Sequence, residues 1–260
     1  MTTLICWCGL DSRAPSSLYV ATDSRFSWSS IAKWDSGRKL SVRSGDAAIL
    51  AFAGDVIFGQ NLLVGLGDDA LNDAHLEDRL HQLSDDFPLG SLEGTTFVLA
   101  RRFGEGMELQ FSVTAYEYEK GLWSIRNHPI PNAHSGIVCA YGSGKGVALG
   151  ELGKWVRQDV SGRTSRSVFS SFCDALRSGK DPQTGGAPQL AAIYRKGPAR
   201  EIGIIWDNEL HIGGLPPPKG MDLTAMAWHN ELFEVCDPST RSRQLNAQPH
   251  AKRASPVRST

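Results

Sequence analysis

The sequence predicts an α+β fold: a four-layer αββα sandwich in which two antiparallel sheets are covered on their outer faces by helices. Two observations carry this expectation. Strand-like segments come in runs and helix-like segments come in runs, the pattern of layered antiparallel sheets and not of repeated βαβ units. In addition, AAILAFAG at Ala47 to Gly54 is an unbroken apolar stretch, as a fully buried strand requires.

Taken in order, TTLICWCG, LYVATDSR, the Lys39–Val42 stretch and AAILAFAG read as four early strands, rich in β-branched and apolar residues and separated by polar or glycine-containing turns. Leu76, Leu80, Leu83 and Phe87 then recur at helical spacing until Pro88 stops them. GTTFVLARRF and MELQFSVTAY predict a hairpin about Gly104-Glu105-Gly106, with LWSIR and GIVCAYGSG as further strands. Leu149, Leu152, Val156 and Val160 predict a second helix; Val168, Phe169, Phe172 and Leu176 predict a third, with Gly179 as its stop. QLAAIYRKG, EIGIIW and ELHIGG return to strand.

With 260 residues, 41% of them hydrophobic, 21% charged and a net charge of −1, the chain has a globular composition and is long enough for a substantial core. No basic excess points to nucleic acid or an anionic membrane as a partner, and no apolar run is long enough to cross a bilayer. The N-terminus lacks a positive segment followed by an apolar one, which gives a cytoplasmic expectation. Cys6, Cys8, Cys139, Cys173 and Cys236 are odd in number and lie mostly in apolar contexts, where a free thiol behaves as a small hydrophobe. Residues 1–235 are expected to form one domain and 236–260 a basic, disordered tail: Arg241, Arg243, Lys252, Arg253 and Arg258 outweigh Asp237 there, a charge balance that suits an acidic partner.

The chemistry turns on the start of the chain. If Met1 is removed, Thr2 carries a hydroxyl and a free α-amine, a nucleophile and a general base in one residue; otherwise Thr2 and Thr3 simply begin an edge strand. Competing motifs fail. GSGKG at Gly142 to Gly146 has Gly146 where a phosphate loop needs Ser or Thr, and Cys139 where it needs its first glycine. The seven histidines form no H-E-x-x-H, no G-x-S-x-G elbow occurs, and Cys6-Trp7-Cys8 has no second ligand pair for zinc. What remains are Asp23, Lys39, Ser143, Asp181 and Thr184, polar residues in apolar strand or turn contexts. Asp23 and Lys39 are equally readable as a structural ion pair, and Ser143, Asp181 and Thr184 as turn or capping residues.

In this order the motifs resemble the proteasome β-subunit family of N-terminal-nucleophile hydrolases, including its smaller bacterial homologues. TTLICW resembles the family's mature N-terminus and ATDSR at Ala21 to Arg25 its AxDSR strand. Lys39 follows Asp23 by 16 residues, the family's spacing of Asp and Lys. AFAGD at Ala51 to Asp55 resembles its alanine-glycine turn, YGSGKG its Gly-Ser-Gly loop, and DPQTGG at Asp181 to Gly186 its D-x-x-S-G-G loop, with Thr184 for the usual Ser. The connection Gly9 to Ser17 is longer than the family pattern, and the segment after Gly214 has no counterpart in it.

The resemblance implies the N-terminal-nucleophile hydrolase fold and a threonine-type endopeptidase without cofactor or metal. Its catalytic residues would be Thr2 as nucleophile and base, Asp23 and Lys39 as its electrostatic support, Gly54 as oxyanion donor, and Ser143, Asp181 and Thr184 around the α-amine. Arg25 is expected to support a nearby loop and Phe52 to narrow the substrate pocket. The substrate would be a peptide or unfolded protein, cleaved inside a homo-oligomeric ring or related assembly; whether an ATPase unfoldase is a partner stays open. Two alternatives also remain: an amidase acting on a small amide with the same residues, and a non-catalytic ring or scaffold subunit.

Overall fold

The computed structural model describes residues 2–28, 31–43, 47–66, 73–87, 92–104, 106–158 and 163–250. The elements run β1 (Leu4–Leu10), β2 (Pro15–Thr22), β3 (Phe26–Trp28), β4 (Ala32–Trp34), β5 (Leu40–Val42), β6 (Ala48–Ala53), α1 (Val56–Gly65), α2 (Asp73–Asp85), β7 (Thr96–Phe103), β8 (Gln110–Glu119), β9 (Leu122–His128) and β10 (Gly136–Tyr141). There follow α3 (Lys145–Gln158), α4 (Ser165–Ser178), β11 (Gln189–Tyr194), β12 (Arg200–Trp206), β13 (Glu209–His211), β14 (Trp228–His229), β15 (Val235–Asp237) and β16 (Ser242–Arg243). The architecture is mixed α+β. No helix among the described residues is long and apolar enough to cross a membrane.

Two principal sheets organise the chain. One has the order β10-β1-β2-β11-β12-β14-β15-β16, with β13 paired to β12; the other is β5-β6-β7-β8-β9, and β3-β4 is a separate hairpin. β1 lies between β2 and β10 in antiparallel register, Leu4 opposite Thr22 and Tyr141. That pairing brings the chain start beside the ends of β2 and β10, the two places from which Asp23 and the Gly142–Gly144 loop emerge.

Side-chain alternation divides the apolar residues into three main clusters. Leu4, Cys6, Leu18 and Val20 of the larger sheet meet Ile49, Ala51, Val98 and Val113 of the smaller one. The opposite face of the larger sheet, through Ile5, Trp7 and Tyr19, packs with Val168, Phe169 and Phe172 of α4. On the smaller sheet Leu50, Phe52, Phe97 and Tyr116 pack with Phe58 and Leu62 of α1 and Leu76 and Leu80 of α2. Thr164 caps α4 in a reciprocal box with Ser167, and Gly179 ends it in the left-handed conformation at φ 60°, the stop that the sequence predicted.

Several expectations are corrected. The buried face of α3 carries Ala148, Glu151 and Trp155, while Leu149 and Val156 are exposed; Val160 lies outside the described residues. Polar partners of the two buried residues explain the register: Trp155 donates from Nε1 to Asp174 at 2.8 Å, and Lys154 and Lys180 pair with Glu151. Chain order also extends beyond Cys236. β15 and β16 continue the sheet, Gln244 N–H donates to the Val235 carbonyl at 2.9 Å, and the His250 N–H donates to Glu234 Oε1 at 2.6 Å. Composition hid this order because it comes from backbone pairing and from anchors upstream: Trp228 is buried, and Phe233 packs edge-on against Trp7 and Tyr19. Residues 251–260 lie outside the described residues.

Candidate active site

The carboxylate of Asp23 is the hub. It leaves the end of β2 fully buried, and its Oδ1 accepts from Lys39 Nζ at 2.9 Å and from the Thr3 N–H at 3.0 Å. Oδ2 accepts from the N–H groups of Gly185 at 3.0 Å and Arg25 at 3.2 Å. Asp23 N–H in turn donates to the Thr3 carbonyl at 3.3 Å. One side chain therefore ties together the residue after Thr2, the ammonium of Lys39 and the Asp181–Gly186 loop. Burial pulls the Lys39 pKa below its usual value, and the Asp23 charge opposes that effect.

Thr2 is completely buried, and its carbonyl accepts from the Gly144 N–H at 3.4 Å. The loop reaches this close only because Gly142 has no side chain: at φ 86° a Cβ there would lie 2.0 Å from the Thr2 carbonyl oxygen. Next to it Ser143 Oγ donates to Asp181 Oδ2 at 2.7 Å, and Thr184 N–H and Oγ1 donate to the Asp181 carbonyl at 3.3 and 3.4 Å. Gly54 occupies φ 130° over Thr95, whose Cα would sit 2.5 Å from an added Cβ. Only glycine fits this turn, which leads into α1 through the N-cap Asp55.

Gly54, Gly142 and Ser143 are among the residues that line a cavity of about 650 Å³. Thus Asp23, Lys39, Ser143, Asp181 and Thr184 interlock by hydrogen bonds with one another or with the Thr2-Thr3 backbone, and Gly54 lines the same cavity as Ser143. Arg25 does hold a loop: its guanidinium spans Asp35 at 2.6 and 2.7 Å and the carbonyls of Pro182 and Thr184 at 3.3 and 3.1 Å. Phe52 does not narrow the cavity. It points to the opposite face of β6, into the cluster with Phe58 and Phe97, because alternation along the strand gives the inner face to Ala51 and Ala53.

Thiol chemistry is disfavoured at the same end of the fold. Cys6 faces Cys139 across β1 and β10, and hydrogen bonding with Cys139 together with burial holds the Cys6 thiol well above its ordinary range. Among the described residues no group of His, Cys, Asp or Glu is arranged to hold a metal ion.

Gln189, at the start of β11, was not singled out from sequence. It is fully buried; its Nε2 donates to the carbonyls of Asp23 at 3.0 Å and Gly37 at 2.8 Å, and its Oε1 accepts from the Lys39 N–H at 3.0 Å. A single amide thereby fixes the backbone on both sides of the Asp23–Lys39 pair. Gln189→Leu strands three buried backbone groups, each costing about 1–3 kcal/mol. The expected outcome is a fall in melting temperature of several degrees and a drop in reporter hydrolysis at temperatures where the variant is still folded. A variant that melts lower yet hydrolyses at the wild-type rate would reduce Gln189 to a purely structural role.

No protein-family model matches the chain, and no curated protein matches it in sequence. Solved structures do. BPH of Thiobacillus denitrificans, solved in complex with epoxomicin, superposes with a TM-score of 0.51 at 17% identity over 75% of this chain and 100% of its own. Anbu from Hyphomicrobium sp. strain MC1, in a mutant form, superposes with a TM-score of 0.51 at 15% identity over 77% of this chain and 87% of its own. The chain shares the fold of these proteasome-like proteins.

Proposed function

We propose that this chain is a threonine-type peptide hydrolase of the proteasome β-subunit class, built as a four-layer αββα sandwich and working in a self-assembled oligomer on peptides or unfolded protein. The observation that carries the reading is the Asp23 carboxylate, shared by Lys39 Nζ, the Thr3 N–H and the Gly185 N–H. A solvated surface ion pair has no need of that convergence on the chain start.

The chemistry then follows. After removal of Met1, the Thr2 hydroxyl adds to the substrate carbonyl carbon while the Thr2 α-amine, through a water, takes the hydroxyl proton. The Lys39 ammonium lowers the cost of alkoxide character on Thr2, and Asp23 keeps that ammonium charged in a buried setting. The oxyanion accepts from the Gly54 N–H, held at the cavity wall by its φ of 130°. Collapse breaks the C–N bond, the leaving amine receives the proton, and water hydrolyses the acyl ester by the same route. Ser143, Asp181 and Thr184 orient the amine and its water. Fold similarity alone does not assign an activity; the reading is supported by the groups gathered on Asp23.

A reactive nucleophile of this kind is kept from the surrounding protein by assembly. Light scattering of the purified protein is expected to give a mass several times 28.2 kDa, with peptide-reporter hydrolysis in the same fractions. A monomer across the micromolar range, active on simple amides and inactive on peptides, would transfer the chemistry to a small-amide hydrolase.

A further inference from the structure

The cavity lined by Gly54, Gly142 and Ser143 has a charge pattern that the reaction itself does not require. Its walls combine Ser27 and Trp28 of β3, the turn before α1, Glu93 and Gly94, Glu117 and Glu119 of β8, and Tyr141 to Lys145. The lining carries four carboxylates, those of Asp55, Glu93, Glu117 and Glu119, and one ammonium, Lys145. Three of the four already have tasks. Asp55 accepts from the Phe58 N–H at 2.8 Å, Glu93 accepts from the Lys120 N–H at 3.0 and 3.2 Å, and Glu117 pairs with Arg126 at 3.0 Å and accepts from the Tyr141 hydroxyl at 3.1 Å. His128, which contacts the same hydroxyl at 2.8 Å, is pushed below its usual pKa by burial and by Arg126, so it adds little positive charge near neutral pH. With Arg126 counted against Glu117, the lining keeps a net negative charge.

Two aromatic walls sharpen the preference. Trp28 is 48% exposed and, like Tyr141, lines the cavity; ring faces attract cations, more so when solvent is displaced. A cavity of about 650 Å³ lies in the size range of small-ligand sites and has room for one long side chain. We propose that this cavity receives a cationic side chain of the substrate, an ammonium or guanidinium on an alkyl stem, and so directs cleavage to peptides carrying lysine or arginine beside the scissile bond. The stem lies against Val56, Ile57 and the rings while the head group reaches the carboxylates. This rests on the hydrolase reading above, since the cavity matters through the Gly54 and Ser143 that line it.

The test is a matched set of fluorogenic peptide reporters that differ only in the residue before the reporter group: Arg, Lys, Leu or Glu. The wild-type oligomer is expected to show kcat/KM at least tenfold higher for Arg and Lys than for Leu, with Glu the poorest. In Glu93→Gln/Glu119→Gln the Arg-to-Leu ratio is expected to fall at least fivefold, chiefly through KM, and in Lys145→Met to rise. Active enzyme that prefers Leu or Glu, or a ratio unmoved by the double substitution, overturns the specificity while leaving the hydrolase reading intact. Absence of hydrolysis with all four reporters in protein shown to begin at Thr2 overturns both.

Discussion

Thr2→Ala is expected to abolish hydrolysis of every peptide or amide reporter while the protein keeps its fold and its oligomeric mass. The substitution removes the nucleophilic oxygen and leaves the backbone contacts in place: the residue 2 carbonyl still accepts from Gly144 N–H, and the Thr3 N–H still donates to Asp23. Loss of a nucleophile in a concerted catalytic unit costs at least on the order of a thousandfold in kcat. Thr2→Ser, which restores a hydroxyl on the same amine, is expected to recover measurable turnover. Steady-state kinetics with circular dichroism checks both. Wild-type rates in Thr2→Ala would leave the two threonines as no more than the start of β1.

Lys39→Ala carries the second large effect. A positive charge next to the developing alkoxide is electrostatic help of the kind whose removal costs on the order of a hundredfold or more in kcat. Asp23 then remains buried without its cation, a loss of roughly 3–5 kcal/mol for a broken buried pair. The N–H groups of Thr3, Gly185 and Arg25 still donate to it, so the chain is expected to fold with a lower melting temperature. Kinetics measured well below that temperature separate the two effects. Lys39→Arg should not rescue turnover, because a planar guanidinium does not fit the fully buried site of a single ammonium. Unchanged kcat in folded Lys39→Ala would make the pair structural only.

How far the sequence spoke depended on which interaction dominated each position. α4 could be read from its apolar face and its C-terminal glycine, because Phe169 and Phe172 bury against the sheet and Gly179 takes the left-handed turn. α3 was misregistered because buried Glu151 and the Trp155–Asp174 bond set its inward face, and periodicity scores only apolar residues. The β3-β4 hairpin went unread: each strand has three residues, too few for alternation to register. Asp23, Lys39, Ser143, Asp181 and Thr184 stood out as polar residues in apolar or turn contexts. Gln189 had the same signal, a polar side chain opening the strand QLAAIY, but its three partners lie in loops and strand ends 150 to 166 residues away. Phe52 was misassigned because a continuous apolar strand gives no clue to which face meets the cavity.

The proposed reactive group is the free α-amine and hydroxyl of Thr2. While Met1 is attached, the Thr2 nitrogen belongs to an amide and cannot accept a proton, so the hydroxyl lacks its base. Intact-mass spectrometry of active protein, combined with turnover measured on preparations of differing Met1 content, tests this most directly. Activity is expected to track the fraction beginning at Thr2 and to vanish in protein that keeps Met1. Full activity in protein that retains Met1 stoichiometrically would contradict it.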